Sequence, residues 1–290
     1  MSSITLADGR EPIVYNPTKI PWQLEFLRDK SPIILLEGSA GGGKSRAAGE
    51  KAHAYMLKYP KATGLAVRKT RESMINSTVL FMEHQVIGPD PEVIHRQDRH
   101  RFDYGNGSML VYGGMKDEGQ REAIRSIGQD GSLDFVWMEE AVKFEEDDFN
   151  EVLARMRGKA APWRQIVVST NPGSPHHWIY KRLIVGGEAK VYRSRAAENP
   201  FNPPDYLDTL NKIGGTLGLR LNKGLWVQAE GVIYNEYDES VHLIDPFPIP
   251  PDWRRFLAVD FGYEHPFVCG WFAEDHDGRL YLYRQIYMTH

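Results

Sequence analysis

The stretch that decides the fold is LLEGSAGGGKS, residues 35–45. Gly38, Gly41, Gly42 and Gly43 crowd into one short loop directly before Lys44 and Ser45. Glycine loses the most backbone freedom on folding and packs nothing, so such a loop serves a close approach to its backbone. The spacing G-x-x-x-x-G-K-[ST] is that of a phosphate-binding loop, or P-loop. The flanks agree. PIILLEG, residues 32–38, is a short apolar run of the buried-strand kind. SRAAGEKAHAYMLK, residues 45–58, is rich in alanine and charged helix formers. Strand, glycine loop and helix together aim N–H groups and a helix N-terminus at an anion. Ser39, Ala40 and the four glycines then wrap the phosphates of ATP. Lys44 reaches the β- and γ-phosphates, and Ser45 ligates Mg²⁺.

Outward from the loop the chain alternates. Strands are expected at 33–36, 63–67, 109–112, 135–138 and 165–169, with helices at 44–58, 70–83 and 147–156. This order predicts an α/β fold of the P-loop NTPase kind, a mostly parallel sheet with helices on both faces. FDYGNGSMLVYGG, residues 102–114, reads as a hairpin turning at Asn106-Gly107. IDPFPIPPDW, residues 244–253, holds four prolines and reads as a linker. The expected domains are therefore 1–247 and 248–290.

Composition excludes several classes. The 290 residues carry a formal net charge of −4, which argues against a constitutive nucleic-acid coat. No apolar run is long enough to span a bilayer, and the first residues lack the apolar core of a signal peptide. The single cysteine, Cys269, forms no disulfide within the chain and suits a reducing compartment.

A P-loop needs an acid at the end of another strand. LDFVWMEEA, residues 133–141, supplies two. Ligands of open α/β sheets bind at the carboxyl ends of the strands, where Glu139 and Glu140 fall. Glu139 would hold the Mg²⁺ shell and Glu140 would polarise the attacking water. The other reading is an acidic helix N-terminus favoured by the helix dipole. Asp134 is the rival acid, but it sits at the strand's entrance. QIVVSTNPG, residues 165–173, is a further strand ending in Ser169, Thr170 and Asn171. These side chains are placed to touch both the γ-phosphate water and a moving segment. The plainer reading is a strand that ends in an Asn-Pro turn.

In this order and spacing, the motifs resemble the large terminase subunit of tailed bacteriophages. PWQLEFL (21–27) is similar to that family's segment beside the adenine. AVRKTRESMINSTV (66–79) resembles its nucleotide-sensing segment, and IRSIGQDGSLDFVWMEEA (124–141) its run into the acidic motif. STNP with HHWIYKRL (169–183) resembles its coupling motif. NKGLWVQAEGVIYNEYD (222–238) is similar to the end of its ATPase domain, and AVDFG (258–262) to the first strand of its RNase H-like nuclease. The resemblance implies an ATP-hydrolysing motor that moves double-stranded DNA into a procapsid. It also implies a ring on the capsid, with the portal protein and the small terminase subunit as partners. The expected location is the host cytoplasm and, transiently, the procapsid portal, with no place in the mature virion and no membrane contact. A P-loop helicase and a nucleotide-gated scaffold are the alternatives.

The resemblance also distributes roles. Gln23 would hydrogen-bond the adenine edge, with Trp22 or Tyr15 stacking; core packing of Trp22 and Phe26 is the competing reading. Arg68 would sense the γ-phosphate or the second acid. Arg125 would act as an arginine finger in a neighbour's site, with Arg155 and Arg157 as alternatives. The basic stretch 95–108 is either a DNA-phosphate grip or a solvated hairpin face. Asp260 would ligate a divalent metal in the nuclease. Glu274, Asp275 and Asp277 fall a strand's length of roughly 20 Å away. Glu264 is near enough, but two carboxylates are too few for a metal pair. The family usually runs well past this point, so the nuclease site is expected to be incomplete in this chain.

Overall fold

A computed structural model describes residues 15–125, 127, 131–228, 242–261 and 267–288. Glu264 and residues 229–238 of the 222–238 stretch lie outside the described residues. The chain divides into two units, Met1–Gly231 and Val232–His290.

In the first unit the strands are β1 (Ile33–Gly38), β2 (Thr63–Arg68), β3 (Val93–Arg96), β4 (Arg101–Tyr104), β5 (Met109–Gly114), β6 (Phe135–Glu139), β7 (Gln165–Ser169) and β8 (Lys190–Ser194). They form one sheet in the order β3-β4-β5-β2-β6-β7-β1-β8. From β5 to β8 every neighbour is parallel; β3 and β4 add an antiparallel edge. All five expected strands are present, and the sheet is the mostly parallel one that the βα alternation predicts.

Burial follows the connectivity. The residues of β2, β6 and β7 are buried throughout, as crossover helices on both faces require. β4 and β5, where the sheet turns antiparallel, alternate between buried and half-buried residues. The period of two sorts the side chains into two cores. Ile34, Leu36, Ala66, Phe135, Trp137 and Val167 face one way; Leu35, Leu65, Val67, Val136, Met138 and Val168 face the other.

The helices are α1 (Pro21–Arg28), α2 (Lys44–Lys58), α3 (Arg71–Ser73), α4 (Glu118–Arg125), α5 (Glu146–Ala154), α6 (Tyr206–Asn211) and α7 (Gly215–Leu221). Ala47, Ala48 and Ala52 let α2 press on the first face, while Phe149 and Val152 of α5 pack on the second. The Asn106 side-chain amide closes the far end of α2 by donating to Met56 O and Leu57 O at 2.8 and 2.9 Å. The expected hairpin turn is thus also a helix cap, and Gly107 takes the left-handed conformation there, at φ +83°. The helix expected at 70–83 begins under a Thr70 cap as α3. It continues as two π-helical stretches, Met74–Val79 and Met82–Ile87. Such stretches concentrate at functional sites.

The second unit holds β9 (Arg254–Asp260), β10 (Phe267–Glu274) and β11 (Leu280–Met288) in the antiparallel order β11-β10-β9.

Candidate nucleotide-binding site

The P-loop leaves β1 at Gly38 and enters α2 at Lys44. Gly38 has φ +125°, and a Cβ there would lie 2.0 Å from Ser194 O on β8, so no other residue fits. Gly43 caps α2 in the left-handed region, at φ 82°. Lys44 closes the loop on itself. Its Nζ donates to Gly38 O at 3.0 Å, to Ser39 O at 2.6 Å and to Asn171 Oδ1 at 2.9 Å. Burial pushes this amine down to about 8, against the opposing pull of the Glu37 carboxylate. The cost of burying a cation here is offset by the three acceptors it meets.

Across the cleft stand the two acids. Glu139 ends β6 in register with Ser169, and Ser169 is in register with Leu36 of β1. Thr78 Oγ1, from the first π-helical stretch, donates to Glu139 Oε2. Glu140 follows in the left-handed region at φ 52° and ψ 45°, an uncommon conformation for a residue with a side chain. Strain of that kind clusters at active sites and ligand clamps. Arg68, at the end of β2, is 8% exposed and binds both acids. Its Nη2 pairs with Glu140 Oε1, its Nε lies 3.7 Å from Glu139 Oε2, and its Nη1 donates to Ser73 O at 3.0 Å. Lys143 Nζ holds the other oxygen of Glu140 at 2.7 Å.

These groups line a cleft of about 430 Å³. Lys44, Ser45, Arg68, Glu139, Glu140 and Asn171 all face it, with Ala40 to Gly43, Ser169 and Thr170. Gly38, Ser39 and Gln23 are not among its lining residues. A serine hydroxyl and a carboxylate in one cleft are the hard oxygen donors that Mg²⁺ takes. The residues present therefore fit the metal that the sequence implies.

The end of β7 is tied to both walls. Ser169 Oγ accepts from Trp137 Nε1 at 2.8 Å. Thr170 Oγ1 accepts from Val142 N at 3.1 Å, and its backbone N–H donates to Leu36 O at 3.0 Å. Gln23 is buried under the loop. It donates to Gly43 O at 3.1 Å and accepts from Tyr15 Oη at 2.8 Å. Trp22 packs on Phe26 with ring centres 6.1 Å apart. Asp134 is a structural acid at the other end of β6, accepting from Thr63 N and Ala160 N.

Several supports of the site lie outside the motifs. Glu37, buried at the end of β1, accepts from Arg193 at 2.8 Å and from the Trp226 indole. Ala40 N donates to Leu221 O at 2.8 Å, so the segment through α7 leans on the P-loop. Asn199 lines the cleft. Asn-Pro at 199–200 was the one available signal, and it reads only as a turn.

Arg125 is not among the cleft-lining residues. It joins α4 to α5 through a two-pronged pair with Glu151, both bonds 2.8 Å, and a pair with Glu118. Those bonds raise Arg125 above the usual guanidinium range and bring Glu151 down to about 2. Arg155 donates to Glu151 and to Arg125 O, while Arg157 donates to Ser132. In the basic stretch, Arg96 and Arg101 pair with Asp103, and Arg99 with Asp98. In the second unit Asp260 is opposite Val268, whereas Glu274 is opposite Arg254 at the far end of the same ladder. Among the described residues no three His, Cys, Asp or Glu side chains converge for a metal, and no helix is long and apolar enough to cross a membrane.

Known proteins share this fold. The PBSX phage terminase large subunit of Bacillus subtilis (strain 168) is 24% identical over 291 residues, covering 88% of this chain. The chain spans 64% of that protein's length. The large terminase of a thermophilic bacteriophage superposes with a TM-score of 0.63 at 19% identity, over 92% of this chain and 68% of that one. The ADP complex of the same terminase gives 0.62, with the same identity and coverage. The family model described as phage terminase large subunit matches residues 30–213, and the chain belongs to that family.

Proposed function

We propose that this chain hydrolyses ATP in the cleft between the P-loop and the acidic pair, and that hydrolysis drives double-stranded DNA into a viral procapsid. The observation that carries the reading is the position of Lys44. Its buried amine faces the cleft from the P-loop, with Glu139 and Glu140 lining the same cleft. That the thermophilic phage's large terminase has been solved with ADP and with ATP-gamma-S supports a nucleotide there.

Lys44 places its ammonium on the β- and γ-phosphates, where charge develops as the bond breaks. The amides at the start of α2 have no intrahelical acceptor and face the same anion. Ser45 and Glu139 would hold Mg²⁺, which when bound neutralises phosphate oxygens. Glu140 accepts the proton of the attacking water. Arg68 meets both acids and so registers any change in their charge. Ser169, Thr170 and Asn171 link the cleft to β7. Gln23, with Tyr15, braces the loop beside the base.

Around this site we place 1–247 as the ATPase domain and 248–290 as the start of an RNase H-like nuclease carrying Asp260. Arg125 serves as the finger in a neighbour's cleft once a ring forms on the portal, with the small terminase subunit delivering DNA. That work belongs in the host cytoplasm. The test is DNA-stimulated ATP hydrolysis by the parent and by Lys44→Ala and Glu140→Gln. Equal turnover in all three sinks the reading.

A further inference from the structure

A turn far along the chain grips the apex of the P-loop. Asn199 Nδ2 donates to Gly41 O at 2.7 Å, and Asn202 Nδ2 donates to the same oxygen at 3.1 Å. One carbonyl thereby meets two amides, one for each lone pair. The amides are themselves fixed. Asn199 Nδ2 also donates to Asn202 Oδ1 at 3.2 Å, Asn202 Nδ2 to Ala196 O at 3.0 Å, and Asn199 Oδ1 accepts from Phe201 N at 3.1 Å. Pro200 locks the backbone between them.

The rest of the early loop is held from the same segment. Ser39 N donates to Ser194 O at 3.0 Å, and Ser39 Oγ accepts from Ala196 N at 2.6 Å. The Tyr206 ring fills the space beside Gly41, where a Cβ would come within 2.4 Å of Cε1.

Glycines at 41, 42 and 43 leave the loop's peptides free to rotate. A peptide is planar and trans, so its C=O and N–H point in opposite directions. Fixing Gly41 O on the two asparagines therefore turns the Gly42 N–H away from them. A flipped peptide would present a carbonyl oxygen to an anion, which binds N–H groups instead. We propose that Asn199 and Asn202 are positioning residues for nucleotide binding, holding the Gly41–Gly42 peptide in its phosphate-accepting orientation. The claim rests on the reading of the loop as the phosphate site.

The test is titration of the purified chain with a fluorescent (mant) derivative of ADP, with a melting curve for each variant. Asn199→Ala weakens binding about tenfold and the double alanine variant about a hundredfold, as one and then both bonds are lost. Asn199→Asp keeps the shape but sets an acceptor against Gly41 O, and weakens binding more than alanine does. Unchanged affinity in a double variant that melts like the parent overturns the proposal. So does a lower melting temperature with affinity unchanged well below the transition, since the amides would then serve the fold alone. Lys44→Ala separates this claim from the one beneath it. If that variant binds like the parent, the phosphate reading itself is wrong. If it loses binding while the double variant keeps it, only the positioning claim fails. Should the double variant not fold, Asn202→Ala alone is read in the same way.

Discussion

Lys44 Nζ lies 2.9 Å from Asn171 Oδ1, and so bonds the start of α2 to the residues just beyond β7. The lysine is thus satisfied by the protein's own acceptors. Lys44→Ala removes a buried cation and leaves polar atoms at the rim of a cleft. The variant is expected to fold with a melting temperature near the parent's and to lose hydrolysis by about 10²-fold or more. Parent-like turnover would show that another group carries the phosphate.

The same lysine gives a proton-linkage prediction. Its amine is held down to about 8, and phosphate binding favours the charged form. Near pH 8.5 nucleotide binding should therefore take up protons. Calorimetry in two buffers of different ionisation enthalpy reads this directly. Proton release, or none, contradicts it.

Glu140→Gln keeps the side chain's shape and the left-handed backbone while removing the proton acceptor. Turnover should fall about 10²–10⁴-fold with nucleotide still bound. The Arg68 and Lys143 pairs are lost at the same time. Single-turnover kinetics with bound nucleotide measured alongside would separate chemistry from binding; a variant that fails to bind points to those pairs instead.

Ser169→Ala leaves the buried Trp137 Nε1 without its acceptor. A loss of about 1–3 kcal/mol in urea unfolding is expected. If stability holds and hydrolysis alone collapses, Ser169 acts in coupling and not as a brace between β6 and β7.

Lys51 is a second buried amine, donating to Phe26 O at 2.7 Å and Asp29 O at 2.5 Å at the end of α1. Burial holds it down to about 7, from an ordinary 10.5. Between those values the unfolded chain binds more protons than the folded one, so this group's contribution to stability grows as pH rises from 7 to 10.5. Lys51→Met abolishes the effect. Unfolding at pH 7 and pH 9 should show the parent gaining on the variant at the higher pH; the reverse trend would mean the amine is raised, not lowered.

The fold was legible where pattern and chemistry coincide. β7 and α2 have the bounds that the apolar run and the helix formers suggest. Arg68, Glu139 and Glu140 could be placed together because each falls at the end of a strand on the same side of a parallel sheet. β8 was not legible: KVYRS is rich in charge and edges the sheet, so its burial is irregular. Asn199 and Glu37 escaped for another reason. Their partners lie more than 150 residues away, at separations of 158 for Asn199–Gly41 and 189 for Trp226–Glu37, and local pattern carries no record of such pairs. The pairs of Arg125 with Glu118 and Glu151 were not legible either, since no motif marks those acids as its partners.

β7 runs between the strand that carries the P-loop and the strand that carries Glu139. Neighbouring strands lie about 4.8 Å apart, so the intervening strand sets a gauge of roughly 9.6 Å between the two walls. Backbone hydrogen bonds hold that gauge, and no side-chain change in the cleft resizes it. Substitutions in the cleft therefore change the chemistry of the two walls and leave the spacing of their strands alone.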